Sequence, residues 1–83
     1  MDVREIELLT ARALRILSRA DAVLDAARGG AAGQDLNQMA SELGWFCLRD
    51  LPLKTALTDV ELFRLHLEIE KRLDALHRFR AAG

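Results

Sequence analysis

The sequence has no tyrosine and only one proline, one tryptophan and one cysteine among 83 residues. With aromatics at 5% and β-branched residues sparse, it lacks the side chains that suit a pleated, half-buried sheet. The lone proline, Pro52, leaves long stretches free to stay helical. The lone cysteine, Cys47, has no partner for an internal disulfide and fits a reducing compartment. Neither charge is in excess: twelve Lys and Arg stand against thirteen Asp and Glu, so no global field draws the chain toward DNA or an anionic membrane. No apolar run approaches the ~20 residues of a membrane span, and MDVREIELL is charged where a secretory leader would be apolar. These absences lead us to expect a cytoplasmic, all-helical protein without membrane association.

What is present fits packed helices, since 51% of residues are hydrophobic and 30% charged. A chain of this length makes a single domain, 1–83, with a modest core. The expected fold class is all-α, an antiparallel helical hairpin or a three-helix bundle with helices over about 3–28, 36–49 and 59–80. A Gly-rich loop at 29–34 and a Pro-containing connection at 50–57 separate them, and the first and last helices are expected to pack antiparallel because their lengths match.

In the first helix, Asp2 with Glu5 reads as a capping box. Ile6, Leu9, Ala13, Ile16, Ala20, Val23 and Ala27 then follow at steps of three and four, widened on one side by Leu17 and Leu24. Alternating alanine with larger side chains predicts close approach of a neighbouring helix. The glycines at 29, 30 and 33 end this helix, and with no preceding strand or following Lys-Ser they do not form a phosphate loop. Asp35 with Gln38 reads as a second box, followed by Leu36, Met39, Ala40, Leu43 and Cys47 at helical steps. Gly44 either ends that helix or weakens its middle. Thr58 with Glu61 forms a third box, stapled by Leu57 and Leu62, and Leu62, Leu65, Ile69, Leu73 and Leu76 make the core stripe of the last helix.

Candidate chemistry is thin. Cys47, His66 and His77 are the obvious soft or borderline metal ligands, but the two histidines lie about 16 Å apart along a helix and no zinc spacing is present. We therefore expect no metal, no cofactor and no catalytic residue. The segment REIELLTARALRILSRA loosely resembles the first helix of small all-helical chorismate mutases over less than a third of the chain. The later Lys and Arg-Glu pair that such a pocket needs have no counterparts, so the expectation is a protein that is not an enzyme.

Two binding readings remain. Val60, Phe63 and Leu67 lie nearly opposite the core stripe of the last helix, Leu14 sits beside the first-helix seam, and Trp45 with Phe46 forms the densest apolar segment. This surplus suggests an adaptor, secretion or assembly chaperone, or inhibitor of bacterial style. It would bury an apolar helical face against another protein or itself, as a homodimer or around a helical client. The runner-up is a DNA-associated transcription or nucleoid regulator using Lys71, Arg72, Arg78 and Arg80 at the basic end of the last helix. Residues 58–62 with Arg72, Leu73 and Leu76 are similar in spacing to the long helix of the Hha/YmoA nucleoid-associated regulators, a pattern that any capped helix can match. The 35–44 segment resembles the first helix and turn of a helix-turn-helix, but Trp45-Phe46-Cys47-Leu48 follows where a base-reading helix would stand.

Overall fold

The computed structural model describes residues 2–30, 35–50 and 59–82, and among them every regular element is helical. α1 runs Val3–Arg28, α2 runs Asp35–Trp45 and continues into a π-helical turn at Phe46–Asp50, and α3 runs Val60–Ala82. The three pack around one core, so of the two expected forms the three-helix bundle is the one adopted.

The helix ends follow local chemistry only in part. Asp2 sits at the N-cap of α1 in extended geometry, and its carbonyl accepts from the Ile6 N–H, but its side chain makes no cap hydrogen bond. Asp35 is the first residue of α2 and not its cap. At α3 the cap is Asp59: its Oδ1 accepts from the Leu62 N–H at 2.9 Å and its carbonyl from the Phe63 N–H at 2.8 Å. A carboxylate there also meets the positive end of the helix dipole. The expected cap and staple at Thr58 and Leu57, and most of both connections, lie outside the described residues. α1 ends as glycine chemistry dictates, with Gly30 at φ 79° and its N–H donating to the Ala27 carbonyl.

Gly44 does not end α2, since the helix runs through it. A Cβ built there meets nothing within 4 Å. Gly44→Ala is therefore expected to stabilise the protein by roughly 0.5–1 kcal/mol, read as a higher urea midpoint with an unchanged m-value.

The direction of α3 differs from the sequence-based expectation. Six residues separate α1 from α2, so the chain reverses between them, and the Arg19–Glu42 ion pair sets their register. Cys47, five residues beyond Glu42, then comes level with Leu14 along the bundle axis. Arg72 pairs with Asp21. If α3 ran antiparallel to α1, Glu70 would stand beside Val23, roughly 13 Å above Cys47; running parallel, it stands beside Arg19, about 7 Å away. Burial first and the Glu70 carboxylate second raise the pKa of the Cys47 thiol, which agrees with the parallel arrangement.

The order of faces agrees. Going round α1, the side toward α2 (Arg19) precedes the buried stripe and the side toward α3 (Asp21) follows it. Round α3, the side toward α1 (Arg72) comes first and the side toward α2 (His66, Glu70) last. In a triangle of helices that order is shared by two helices pointing the same way. The bundle is therefore up-down-up, with α1 and α3 parallel, and 42 × 18 × 17 Å in extent.

The buried stripe of α1 is Ala13, Leu17, Ala20 and Leu24, with Ile6, Leu9, Ile16 and Val23 packed at its edges. The stripe is thus turned toward Leu17 and Leu24, because α1 has a neighbour on each side of it. α2 contributes Met39, Ala40 and Leu43, the π turn Phe46, and α3 Leu62, Ile69 and Leu76. His66 is buried among them.

Candidate functional site

Once the register is known, every exposed residue can be placed by its level along α1, and the surface divides into two halves. On α1 the exposed large apolar side chains are Val3, Leu8 and Leu14. On α2 and the π turn they are Trp45 and Leu48, at the axial levels of Ile16 and Ala13. On α3 they are Val60, Phe63 and Leu67, at the axial levels of Leu9, Arg12 and Ile16. All of them lie in the half of the bundle that holds the N-terminus of α1, called the lower half below.

The upper half is polar and cross-linked by ion pairs. Arg19 meets Glu42 at 2.8 Å, and Arg28 meets Asp25 at 2.8 Å. Arg72 donates from Nε to Asp21 Oδ1 at 3.0 Å and from Nη1 to Glu68, which also receives Lys71 at 3.3 Å. The hydrogen bonds from Arg72 and Lys71 hold the Glu68 carboxyl below its usual pKa. The hydrogen bond to Asp21 is the largest effect and raises the pKa of Arg72; burial comes next and opposes it, and the hydrogen bond to Glu68 adds to the rise.

The expected partner-binding residues are therefore partly regrouped. Val60, Phe63, Leu67, Leu14 and Trp45 are exposed, but Phe46 is 6% exposed and belongs to the core. Six consecutive apolar residues from Leu43 to Leu48 cannot all face inward when neighbours point ~100° apart. Leu43 and Phe46 turn in, Trp45 and Leu48 turn out, and Leu48 is the most exposed large apolar side chain described, at 77%. The guanidinium of Arg49 stacks 4.5 Å from the Trp45 ring centroid, on the next turn. Nor do the expected residues line one groove. Leu14 lies at the outer edge of the α1–α3 contact, whereas Phe63 lies on the flank of α3 toward the π turn. They share an end of the molecule and not a cleft.

The basic cluster is also divided. Lys71 and Arg72 are engaged by Glu68 and Asp21, leaving Arg78 and Arg80 as the exposed cations of the expected nucleic-acid surface.

Glu70 contacts His66 and acts electrostatically on Cys47. The His66 Nε2 lies 2.9 Å from Glu70 Oε1, and Nδ1 is buried without a partner. Burial first, and the Glu70 carboxylate second, push the Cys47 thiol up, which keeps it protonated and a weak nucleophile at neutral pH. His77 is exposed. Among the described residues no group of three His, Cys, Asp or Glu converges to hold a metal ion. An open hollow of about 300 Å³ between α1 and α2, lined by Arg19, Val23, Met39 and Glu42, has the Arg19–Glu42 pair across its wall. Among the described residues no helix is long and apolar enough to cross a membrane. Comparison with known protein families, with curated proteins and with solved structures gives no match.

Proposed function

We infer that the chain is a small protein–protein interaction module whose working surface is the apolar lower half of the bundle. The observation that supports this is an uneven distribution among the described residues: eight large apolar side chains are exposed in one half, and the ion pairs of Arg19, Arg28 and Arg72 stand in the other. Scattered exposed apolar residues are ordinary, whereas eight gathered toward one end of so small a molecule favour burial against a partner. Trp45 and Arg49 are of the types that most often anchor such contacts. The adaptor, chaperone and inhibitor roles share this physical act. A nucleic-acid role has less support, because two of its four cations are held by carboxylates.

Photo-crosslinking in the native host tests the reading. A benzophenone side chain at Leu67 should capture a protein, and one at Arg78 should not. Phe63→Asp combined with Leu67→Asp should abolish capture from Leu14 while the protein stays helical, since neither side chain belongs to the buried core. Equal capture from both ends, or capture that survives the double substitution, would sink it.

A further inference from the structure

Resting on that reading of the lower half, we propose that its α1–α2 flank takes an acidic helical segment of the partner, with Trp45 as the apolar plate and Arg15 and Arg49 as the groups that receive carboxylates. The flank is fixed by contacts. Arg19 of α1 meets Glu42 of α2 at 2.8 Å, and side chains of both helices, among them Val23 and Gln38, line the hollow beside that pair. Steps of three, four and seven residues keep to one side of a helix. Arg15 therefore stands one turn below Arg19 on α1, and Trp45 one turn below Glu42 on α2, which runs the other way. The Arg49 guanidinium lies 4.5 Å from the Trp45 ring centroid, so direct contact places it on the same flank.

Both cations stand ready for an anion. Arg15 and Arg49 are exposed, and neither holds a carboxylate among the described residues, whereas Arg19, Arg28 and Arg72 of the upper half each hold one. Stacking on Trp45 uses the face of the Arg49 guanidinium and leaves the N–H groups at its edge to bind a carboxylate in its plane. The ring also holds that side chain in place before a ligand arrives, which lowers the entropy lost on binding. Trp45, 54% exposed, offers the apolar surface beside these charges. The length of the positive stretch selects the ligand. Glu5 stands two turns below Arg12 on α1, and Asp35 and Glu42 line the hollow above, so a continuous run of phosphates laid along the flank would meet carboxylates at either end. Two carboxylates one helical turn apart, next to one apolar side chain, fit between them. The net charge of −1 adds no long-range pull on a polyanion.

Trp45 is the only tryptophan, so its emission reports this flank directly. A random library of helical peptides, about 16 residues long, selected on the full chain, provides the probe. Selected peptides should carry two Asp or Glu three or four residues apart next to Leu, Ile, Phe or Met, and should change Trp45 emission on titration. Replacing their acids with Asn or Gln should weaken binding at least about 10-fold. Arg15→Gln and Arg49→Gln, shown by circular dichroism to stay helical, should each weaken it about 5-fold, and a short oligothymidylate should bind less tightly than the peptide. Selection that yields no peptide or peptides without paired acids, peptides that leave Trp45 emission unchanged or bind both variants as tightly as the wild type, or tighter binding of the oligothymidylate, would each overturn the acidic partner. Protein capture from Leu67 beside such a result would show that the lower half docks a partner of other chemistry, so the two readings fail separately.

Discussion

Ile69→Ala is expected to lower the melting temperature by roughly 10–30 °C. Ile69 is fully buried on α3 and lies level with Leu43 of α2, also fully buried, and within one residue of Leu17 of α1. These three side chains form the central layer of the bundle, one from each helix, so a gap there has no loop or terminus to collapse into it. Truncating a buried isoleucine costs about 2–5 kcal/mol through lost transfer energy and the cavity left behind. A chain of this length has only some 4–12 kcal/mol to lose, and each kcal/mol is worth ~4–8 °C at this size. Leu67→Ala, two residues away but 40% exposed, should move the melting temperature by only a few degrees. Thermal melts of the two variants followed by circular dichroism make the comparison. If Ile69→Ala melted within a few degrees of the wild type, the central layer would not be packed as described.

The helices themselves were legible because periodicity and capping are local. α1 begins at Val3 and ends at Arg28, the bounds expected from Asp2 and the glycines. The direction of α3 was not legible from matched helix lengths, since equal lengths allow either sense. Connection length was the better guide: two short connections make successive helices reverse, and two reversals return α3 to the direction of α1. The seam on α1 was read about one position off-centre because a strict three-and-four count treats the helix as having one neighbour. With α2 and α3 on either side, Leu17 and Leu24 move to the middle and Ile16 and Val23 to the edge.

The candidate surface was half legible for a related reason. Val60, Phe63 and Leu67 were found because they oppose a stripe on their own helix. Leu48, Leu8 and Val3 were missed, Leu48 because it stands in an apolar run that reads as core throughout. Phe46 was misplaced by the same run. That the exposed apolar residues share one end depends on the register between helices, which rests on pairs such as Asp21 with Arg72, fifty-one residues apart. Half of the basic cluster could have been discounted from sequence, because Glu68 precedes Lys71 and Arg72 by three and four residues, the spacing of intrahelical ion pairs.

Ala20→Leu tests whether small residues on α1 are what let the bundle close. Ala13 and Ala20 are both fully buried, and Ala40 of α2, level with Ala20 to within a residue, is 4% exposed. Full burial of an alanine means that its methyl group is covered on all sides, so three added carbons must displace what covers it. Forcing a leucine in must push α1 outward or drive neighbours off their rotamers, at a cost of about 1–3 kcal/mol, and more if the added bulk also disturbs Leu17 and Leu24. Ala22→Leu makes the same chemical change two residues on, at an exposed position of the same helix, and should stay within ~0.5 kcal/mol of the wild type. Urea titrations of both variants separate the outcomes, because helix propensity affects the two positions alike and only packing distinguishes them. Equal midpoints would mean that α1 is held at a distance that leaves room for a leucine, and the close packing inferred from the alternation of alanine with larger side chains would be wrong.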